Sequence, residues 1–432
     1  MYQIKLGVFA IMEYKRTELG ENIGFTSITD EKFKTCSVYV RFATRLEPDE
    51  AAANSLGIGA LSASNSKLRS VAELNERLSS LYGSALGTFT RKRGDIQILG
   101  LSASWICNRY SLDGEDIEGE MLGLVRDCLF SPNVQDGGFD ATPFRITKND
   151  LLDRIDAEMN NKRSFALARA AETAFKGEPA ECSCYGTRES AEAVTAAEAY
   201  AAYRQVLSTA QVEIYYVAPC ADERAAEMFR REFAAIERHP RQCTFRAVSP
   251  VKSEPAAVME KMDVLQCKTV LTFKSDSDDI YALRILSAVL GETPVSKLFV
   301  NVREKLSLCY YCSCRYISSK NTLTVDSGVE KVNIEAAEQE ILHQLDEIKN
   351  GNITETELES AMLSIENALA AVGDTPSSYS SWYFERFCDG IKVDPQQQAA
   401  RYRAVTRERV IEAAKSLKLD TRYYMLCRED NE

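Results

Sequence analysis

The sequence predicts an α+β fold of two similar domains in tandem, each a mainly antiparallel sheet backed by helices. Three observations carry this prediction. A chain of 432 residues with 45% hydrophobic content can bury two cores, one in each of two domains of ~200 residues. The order strand, helix, hairpin, helices, closing strand occurs twice, at a spacing of about 215 to 235 residues. Between the two copies, Pro240, Pro250 and Pro255 interrupt any periodicity. The expected domains are therefore 1–237 and 259–432, joined by a linker at 238–258 whose main part is Arg238 to Glu254.

The elements follow in order. After a polar N-terminal stretch, Phe33-Lys-Thr-Cys-Ser-Val-Tyr-Val-Arg-Phe42 alternates and is rich in β-branched and aromatic residues, as a strand requires. Cys267 to Lys274 is its counterpart in the second half. Each precedes an acidic turn and an apolar helix, Asp49 to Ser62 and Asp278 to Leu290. Short helices follow at Val71 to Leu81, with leucines at 74, 78 and 81, and at Val295 to Leu306. Hairpins come next. The first pairs Gly83 to Thr90 with Asp95 to Ser102 across a loop Arg91-Lys-Arg-Gly94, and the second pairs Cys309 to Tyr316 with Asn321 to Ser327. Helices are expected at Gly114 to Leu129, Lys148 to Lys176 and Ala191 to Leu207, then at Asn333 to Lys349, Glu355 to Ala371, Pro376 to Phe387 and Thr406 to Leu417. Thr354-Glu-Thr-Glu357 has the spacing of a capping box. Each half closes on a strand, Gln211 to Val217 and Arg422 to Cys427.

Composition excludes several function classes. With 64 acidic and 52 basic residues the formal charge is −12, the wrong sign for gripping a phosphate backbone, so nucleic acid is not an expected ligand. No stretch reaches the ~18 apolar residues of a membrane helix, and the first residues lack the basic-then-apolar form of a signal peptide. A cytoplasmic protein without membrane contact is expected. Its thirteen cysteines, odd in number and scattered, read as reduced thiols packed like small apolar side chains.

The most informative segment is Ser296-Lys-Leu-Phe-Val-Asn-Val-Arg-Glu-Lys-Leu-Ser-Leu-Cys-Tyr310. It resembles the Ser-[Arg/Lys]-Leu-Phe-x3-Arg-Glu-Lys-x4-Tyr run in the second half of pitrilysin/insulinase-type zinc peptidases. The resemblance implies a pseudo-twofold clamshell and puts Arg303 and Tyr310 on the two substrate-facing positions. The spacing within the run changes from helical to strand-like around Ser307, which would set Arg303 near a helix end and Tyr310 near a strand start. Both could then face one cavity. A guanidinium fork and a phenol O–H are donors suited to a carbonyl oxygen that is gaining negative charge.

The resemblance also implies a His-x-x-Glu-His zinc motif within about Asn54 to Ala60, where this chain reads Asn54-Ser-Leu-Gly-Ile-Gly-Ala60. The two histidines, His239 and His343, have no partner at ligand spacing. Asp150, Asp153, Asp156 and Glu158 lie where a third ligand would be sought, and without histidines they read as a solvated face. Cys182-Ser-Cys184 and Cys312-Ser-Cys314, with Cys309 nearby, supply soft ligands, but alternate cysteines on a strand simply place two small side chains on one face. No metal and no cofactor is expected.

Some members of the resembled family work as paired subunits, one holding zinc and the other lending the Arg and Tyr. This chain resembles the lending, non-catalytic member of such a bacterial pair. The expectation is a pseudoenzyme, no peptidase on its own, that binds a peptide or unfolded segment, forms a heterodimer with a zinc-bearing homologous subunit, and donates Arg303 and Tyr310 in trans. A homodimer is the alternative when the partner is missing. The rival reading is a pseudo-enzyme scaffold with a purely structural role in a complex.

Overall fold

The computed structural model describes residues 12–428, which form two compact units. One gathers the described residues through Ile155 with Ser183–Cys243 and Gly373–Glu385. The other gathers Asp156–Cys182, Thr244–Val372 and the described residues from Arg386 onward. Neither unit is continuous in sequence. The prediction of two mainly antiparallel sheets, each backed by helices, holds.

The first sheet has six strands: β1 (Glu13–Gly20), β2 (Ile23–Thr29), β3 (Thr35–Arg45), β4 (Ala85–Arg93), β5 (Ile96–Ile106) and β6 (Gln211–Ala218), in the order β1-β2-β6-β3-β5-β4. The β2–β6 pair is parallel and the rest are antiparallel. Val38, Val40 and Phe42 of β3 and Leu99, Leu101 and Ala103 of β5 are all buried in one core with Leu56 of helix Pro48–Gly59 and Tyr203 of helix Ala196–Thr209. That alternation is the period-2 signal read in the sequence. Gly57 permits the close approach of those two helices, because a Cβ there would stand 2.5 Å from the Ala199 carbonyl oxygen.

The opposite face meets helix Pro376–Cys388 through Arg41, whose guanidinium lies 4.9 Å from the ring centroid of Phe384 and 5.1 Å from that of Tyr215. The same guanidinium donates to the Ser380 hydroxyl at 2.7 Å. A buried cation sandwiched by rings and hydrogen-bonded escapes much of the usual desolvation cost.

The second sheet has five strands: β7 (Ala256–Met262), β8 (Cys267–Ser275), β9 (Cys309–Ile317), β10 (Thr322–Val329) and β11 (Leu417–Cys427), in the order β9-β10-β8-β11-β7, with β7 and β11 parallel. Strand β8 is buried along its whole length. Helix Ile280–Gly291 packs Leu283, Leu286 and Leu290 into the same core as Leu271 and Phe273. Helix Lys162–Ala174 belongs here too. Its alanines at 166 and 170 form a flat face that sits on Val270, Tyr423 and Met425.

Several predicted elements move. Helix 148–176 is two helices, Ala141–Ala157 and Lys162–Ala174, separated by a 3-10 turn at Glu158–Asn160. The short helix at 295–306 is a π-helix, Leu298–Lys305. Arg91, Lys92 and Arg93 are not in a loop: β4 runs through Arg93, and the turn is Gly94-Asp95, with Gly94 at φ 56°. The linker region contains the start of β7, and no helix or strand runs between Ala234 and Ala256.

Candidate functional site

Helix Pro48–Gly59 carries the window where a zinc motif would fall. It begins at Pro48, which has no N–H to lose, and has Asp49 and Glu50 in its first turn, where the positive end of the helix favours acids. Inside, a neutral hydrogen-bond network occupies its inner face. Asn54 Nδ2 donates to Gln97 Oε1 at 3.0 Å. Gln97 Nε2 in turn reaches the carbonyls of Ala51 (3.0 Å) and Cys184 (2.6 Å) and the Ser55 hydroxyl (3.3 Å), while Ser55 donates to the Cys184 carbonyl at 2.9 Å. Gln97 is fully buried on β5. Its side chain thus ties the helix, the sheet and the Cys184 segment together with amide and hydroxyl groups alone.

Beside this network lies a groove of about 310 Å³, lined among others by Ile58, Ser62, Thr88, Asp150, Arg154 and Tyr185. It runs along β4, the outermost strand of its sheet. The Thr90 carbonyl accepts from the Tyr185 phenol at 3.2 Å, and Ser62 and Thr88 share a hydroxyl hydrogen bond at 3.0 Å. Asp150 lines the groove, but among the described residues no three His, Cys, Asp or Glu side chains are grouped so as to hold a metal ion. His239 is exposed, 3.4 Å from Glu237, and His343 is exposed on helix Ile334–Lys349.

Arg303 and Tyr310 are both at the surface of the second unit. Arg303 stands near the end of the π-helix with its side chain 41% exposed, its guanidinium 4.7 Å from the Phe299 ring and 3.6 Å from Glu304. Ser307, at φ 50°, turns the chain from helix into strand. Strand β9 then opens with a bulge: Cys309 pairs with Val329 and Tyr311 with Gly328, so Tyr310 is the extra residue. The bulge leaves Tyr310 60% exposed, with its phenol donating to Glu330 Oε1 at 3.1 Å. That carboxylate holds the phenol pKa above its ordinary value.

The same bulge places Cys309 and Cys312 side by side. Cys312 hydrogen-bonds the Cys309 thiol, and this together with the Arg303 charge pulls Cys309 below its usual range. Arg303 is therefore close enough to influence the residue that precedes Tyr310. The two motif residues share one neighbourhood, on the surface.

Sequence reasoning missed two parts of this arrangement. One is the Asn54–Gln97–Ser55 network, whose signal is a glutamine between isoleucines 96 and 98 on a buried strand. The other is the Cys309-Tyr-Tyr-Cys312 spacing, which became a pair on one face only through the bulge. Cys312 and Cys314 are buried, as packed thiols would be, while Cys182 and Cys184 are half-buried.

A family model described as the peptidase M16 inactive domain matches residues 193–364. Over 420 residues the chain is 25% identical to the probable inactive metalloprotease YmfF of Bacillus subtilis (strain 168), covering 96% of this chain and 98% of the relative. Among solved structures, a conserved protein from Enterococcus faecalis V583 superposes with a TM-score of 0.89 at 24% identity, covering 97% of this chain and 100% of that one. A peptidase M16 inactive domain from Pseudomonas fluorescens superposes with a TM-score of 0.79 at 13% identity, covering 97% and 99%. With the zinc motif replaced by an amide network, these likenesses place the chain in the pitrilysin/insulinase-type (M16) peptidase family, among its inactive members.

Proposed function

We propose that this chain is the non-catalytic subunit of a heteromeric zinc peptidase, holding an extended peptide and donating Arg303 and Tyr310 to the active site of a zinc-bearing homologous partner. The observation that carries this reading is the exposure of both donors on a bulged strand start. Side chains retained for packing would be turned inward. Hydrolysis builds negative charge on the peptide carbonyl oxygen, and a rigid guanidinium fork plus a phenol O–H stabilise that charge. The zinc and the attacking water belong to the partner. Tyr310 would exchange its bond to Glu330 for one to the substrate, and the loose Arg303–Glu304 pair, exposed and at 3.6 Å, costs little to open. Peptide capture would use the outer strand β4, since backbone pairing at a sheet edge holds peptides of varied sequence.

The test is co-purification with the zinc-bearing relative, followed by peptide cleavage with wild type, Arg303→Ala and Tyr310→Phe. Loss of a donor aimed at the oxyanion should lower the rate by ~10²–10³. Unchanged cleavage in both variants would leave the chain a purely structural role. For this reading the complex, rather than this chain alone, is the peptidase.

A further inference from the structure

Strand β4 separates two hollows of opposite character. Its side chains alternate: Thr88 and Thr90 belong with the groove beside helix Pro48–Gly59, whereas Phe89, Arg91 and Arg93 turn to the other face of the sheet. On that second face is a cavity of about 340 Å³. Its charged lining is Arg41, Arg91, Lys92 and Arg93 against the single carboxylate of Glu385, which Arg93 Nε engages at 2.8 Å. Four cations against one carboxylate leave three positive charges in excess, on a chain whose formal charge is −12. Local and overall charge have opposite sign.

The cations are placed for recognition. Arg41 is fixed between aromatic rings and by Ser380, and Arg91 lies exposed with its guanidinium 5.5 Å from the Phe89 ring centroid. An arginine braced in this way loses little side-chain freedom when it grips a carboxylate, and the fork geometry matches that group.

Resting on the reading that peptides add to this edge, we infer that the strand selects acidic peptides: an extended segment paired with β4 puts the carboxylates of alternate residues into the Arg91–Arg93 cavity. Its other side chains, small or apolar, enter the groove lined by Ile58, Ser62 and Thr88. A strand has a side-chain period of two, so the recognised pattern is an acid at every second position. The competing account is that a basic run merely keeps an outer strand from pairing with other chains.

Fluorescence anisotropy of labelled short peptides with alternating Val-Asp, Val-Asn and Val-Lys sequences tests the inference on the full chain. A fourth peptide is the Val-Asp sequence with alternate amides N-methylated. The Val-Asp peptide should bind about tenfold more tightly than Val-Asn, with Val-Lys weakest, and N-methylation should abolish binding. Arg91→Glu, at an exposed position, should remove the preference for acid. Equal, methylation-sensitive binding of Val-Asp and Val-Asn would overturn acid selection and leave strand capture standing. Binding of none of them would overturn both. Unimpaired binding of the methylated acid peptide would put the acidic ligand elsewhere and also refute the inference.

Discussion

Replacing Asp420 with asparagine should destabilise the second unit by about 3–5 kcal/mol, the usual cost of leaving a buried charge without its partner. Asp420 is fully buried on β11. Its carboxylate takes Lys252 Nζ at 2.6 Å, Lys274 Nζ at 3.2 Å, the Lys252 backbone N–H at 2.9 Å and the Thr421 hydroxyl at 2.8 Å. Lys274, only 1% exposed, also donates to the Ala174 and Pro250 carbonyls, both at 2.8 Å, and Lys252 donates to the same Ala174 carbonyl at 2.9 Å. Asp420 is thus the anion that lets two ammonium groups gather at the end of helix Lys162–Ala174. Burial pulls Lys274 below its ordinary pKa, and asparagine in place of the anion would strip away the charge that opposes this. A double-mutant cycle with Lys274→Met isolates the term. Once Lys274 is gone, Asp420→Asn should cost less by roughly 1–3 kcal/mol, because the fully buried ammonium is no longer stranded. Urea denaturation followed by circular dichroism reads both numbers. Burial works against the charged carboxyl of Asp420, but Lys252, Thr421 and Lys274 outweigh it and hold the group below its ordinary 3.8. Its stabilisation is therefore present above about pH 3.8, is lost as pH falls through the lower folded value, and should be missing from the acid limb of Asp420→Asn. Additive single costs, or a loss under about 1 kcal/mol for Asp420→Asn, would refute the claim that this carboxylate compensates Lys274.

Two further predictions concern the first unit. Gln97→Leu strands the buried Asn54 amide and should cost about 1–3 kcal/mol in urea denaturation, while treatment of the wild type with a chelator should leave its melting temperature unchanged, because amides rather than a cation tie helix Pro48–Gly59 to the sheet. A chelator-induced drop in melting temperature would contradict the second half. Glu118, buried and beside Asp222, is pushed up to about 7 despite the Tyr216 phenol and Arg224 that favour its charged form. The native state then binds more protons than the unfolded chain between about pH 4.5 and 7, so stability should fall as pH rises through that window, and Glu118→Gln should flatten the slope. A wild-type urea midpoint that stays level or rises across the window, or an undiminished slope in Glu118→Gln, would show that this carboxyl is not held protonated.

How much of this was legible in the sequence varied with the kind of signal. Alternation in Phe33 to Phe42 and Cys267 to Lys274 marked β3 and β8, because those strands are buried and their neighbours along the chain are turn-forming. Strand β1 was invisible: Glu13-Tyr-Lys-Arg-Thr-Glu-Leu-Gly20 is polar on both faces, and its pairing with β2 is what makes it a strand. Strand β7, with Met259 and every second neighbour exposed, was missed for the same reason. The basic run at 91–93 was assigned to a loop because three charges before a glycine look like one. In the structure the ladder continues to the Arg93–Ile96 pair, and Gly94 alone supplies the positive φ that the tight turn needs. Helix periodicity showed that Ala166, Ala170 and Ala174 form a stripe but not which sheet the stripe would meet. That choice follows from Val270, Tyr423 and Met425, residues far away in sequence. Arg303 and Tyr310 were found from a pattern of spacing, whereas the bulge that turns Tyr310 outward depends on β10 and leaves no mark within its own strand.

The two ends of the candidate machinery are built by opposite physical strategies, and this bears on what the fold still does. Where a motif peptidase would carry ligands, Asn54, Ser55 and Gln97 satisfy one another's hydrogen bonds inside the protein, so the helix needs no ion and offers none a place. A site silenced in this way becomes part of the core. At Arg303, Tyr310 and the strand β4, polar and charged groups instead stay at the surface, where they contribute little to folding because exposed charges and exposed phenols are well solvated. Groups that cost folding little and stabilise it little are free to be shaped by what they touch. The stability predictions above therefore belong to the buried polar clusters, and the binding and cleavage predictions to the exposed ones. A variant such as Arg91→Glu or Tyr310→Phe that left peptide binding and partner-dependent cleavage intact while lowering the urea midpoint by more than about 1 kcal/mol would show that this division is wrong.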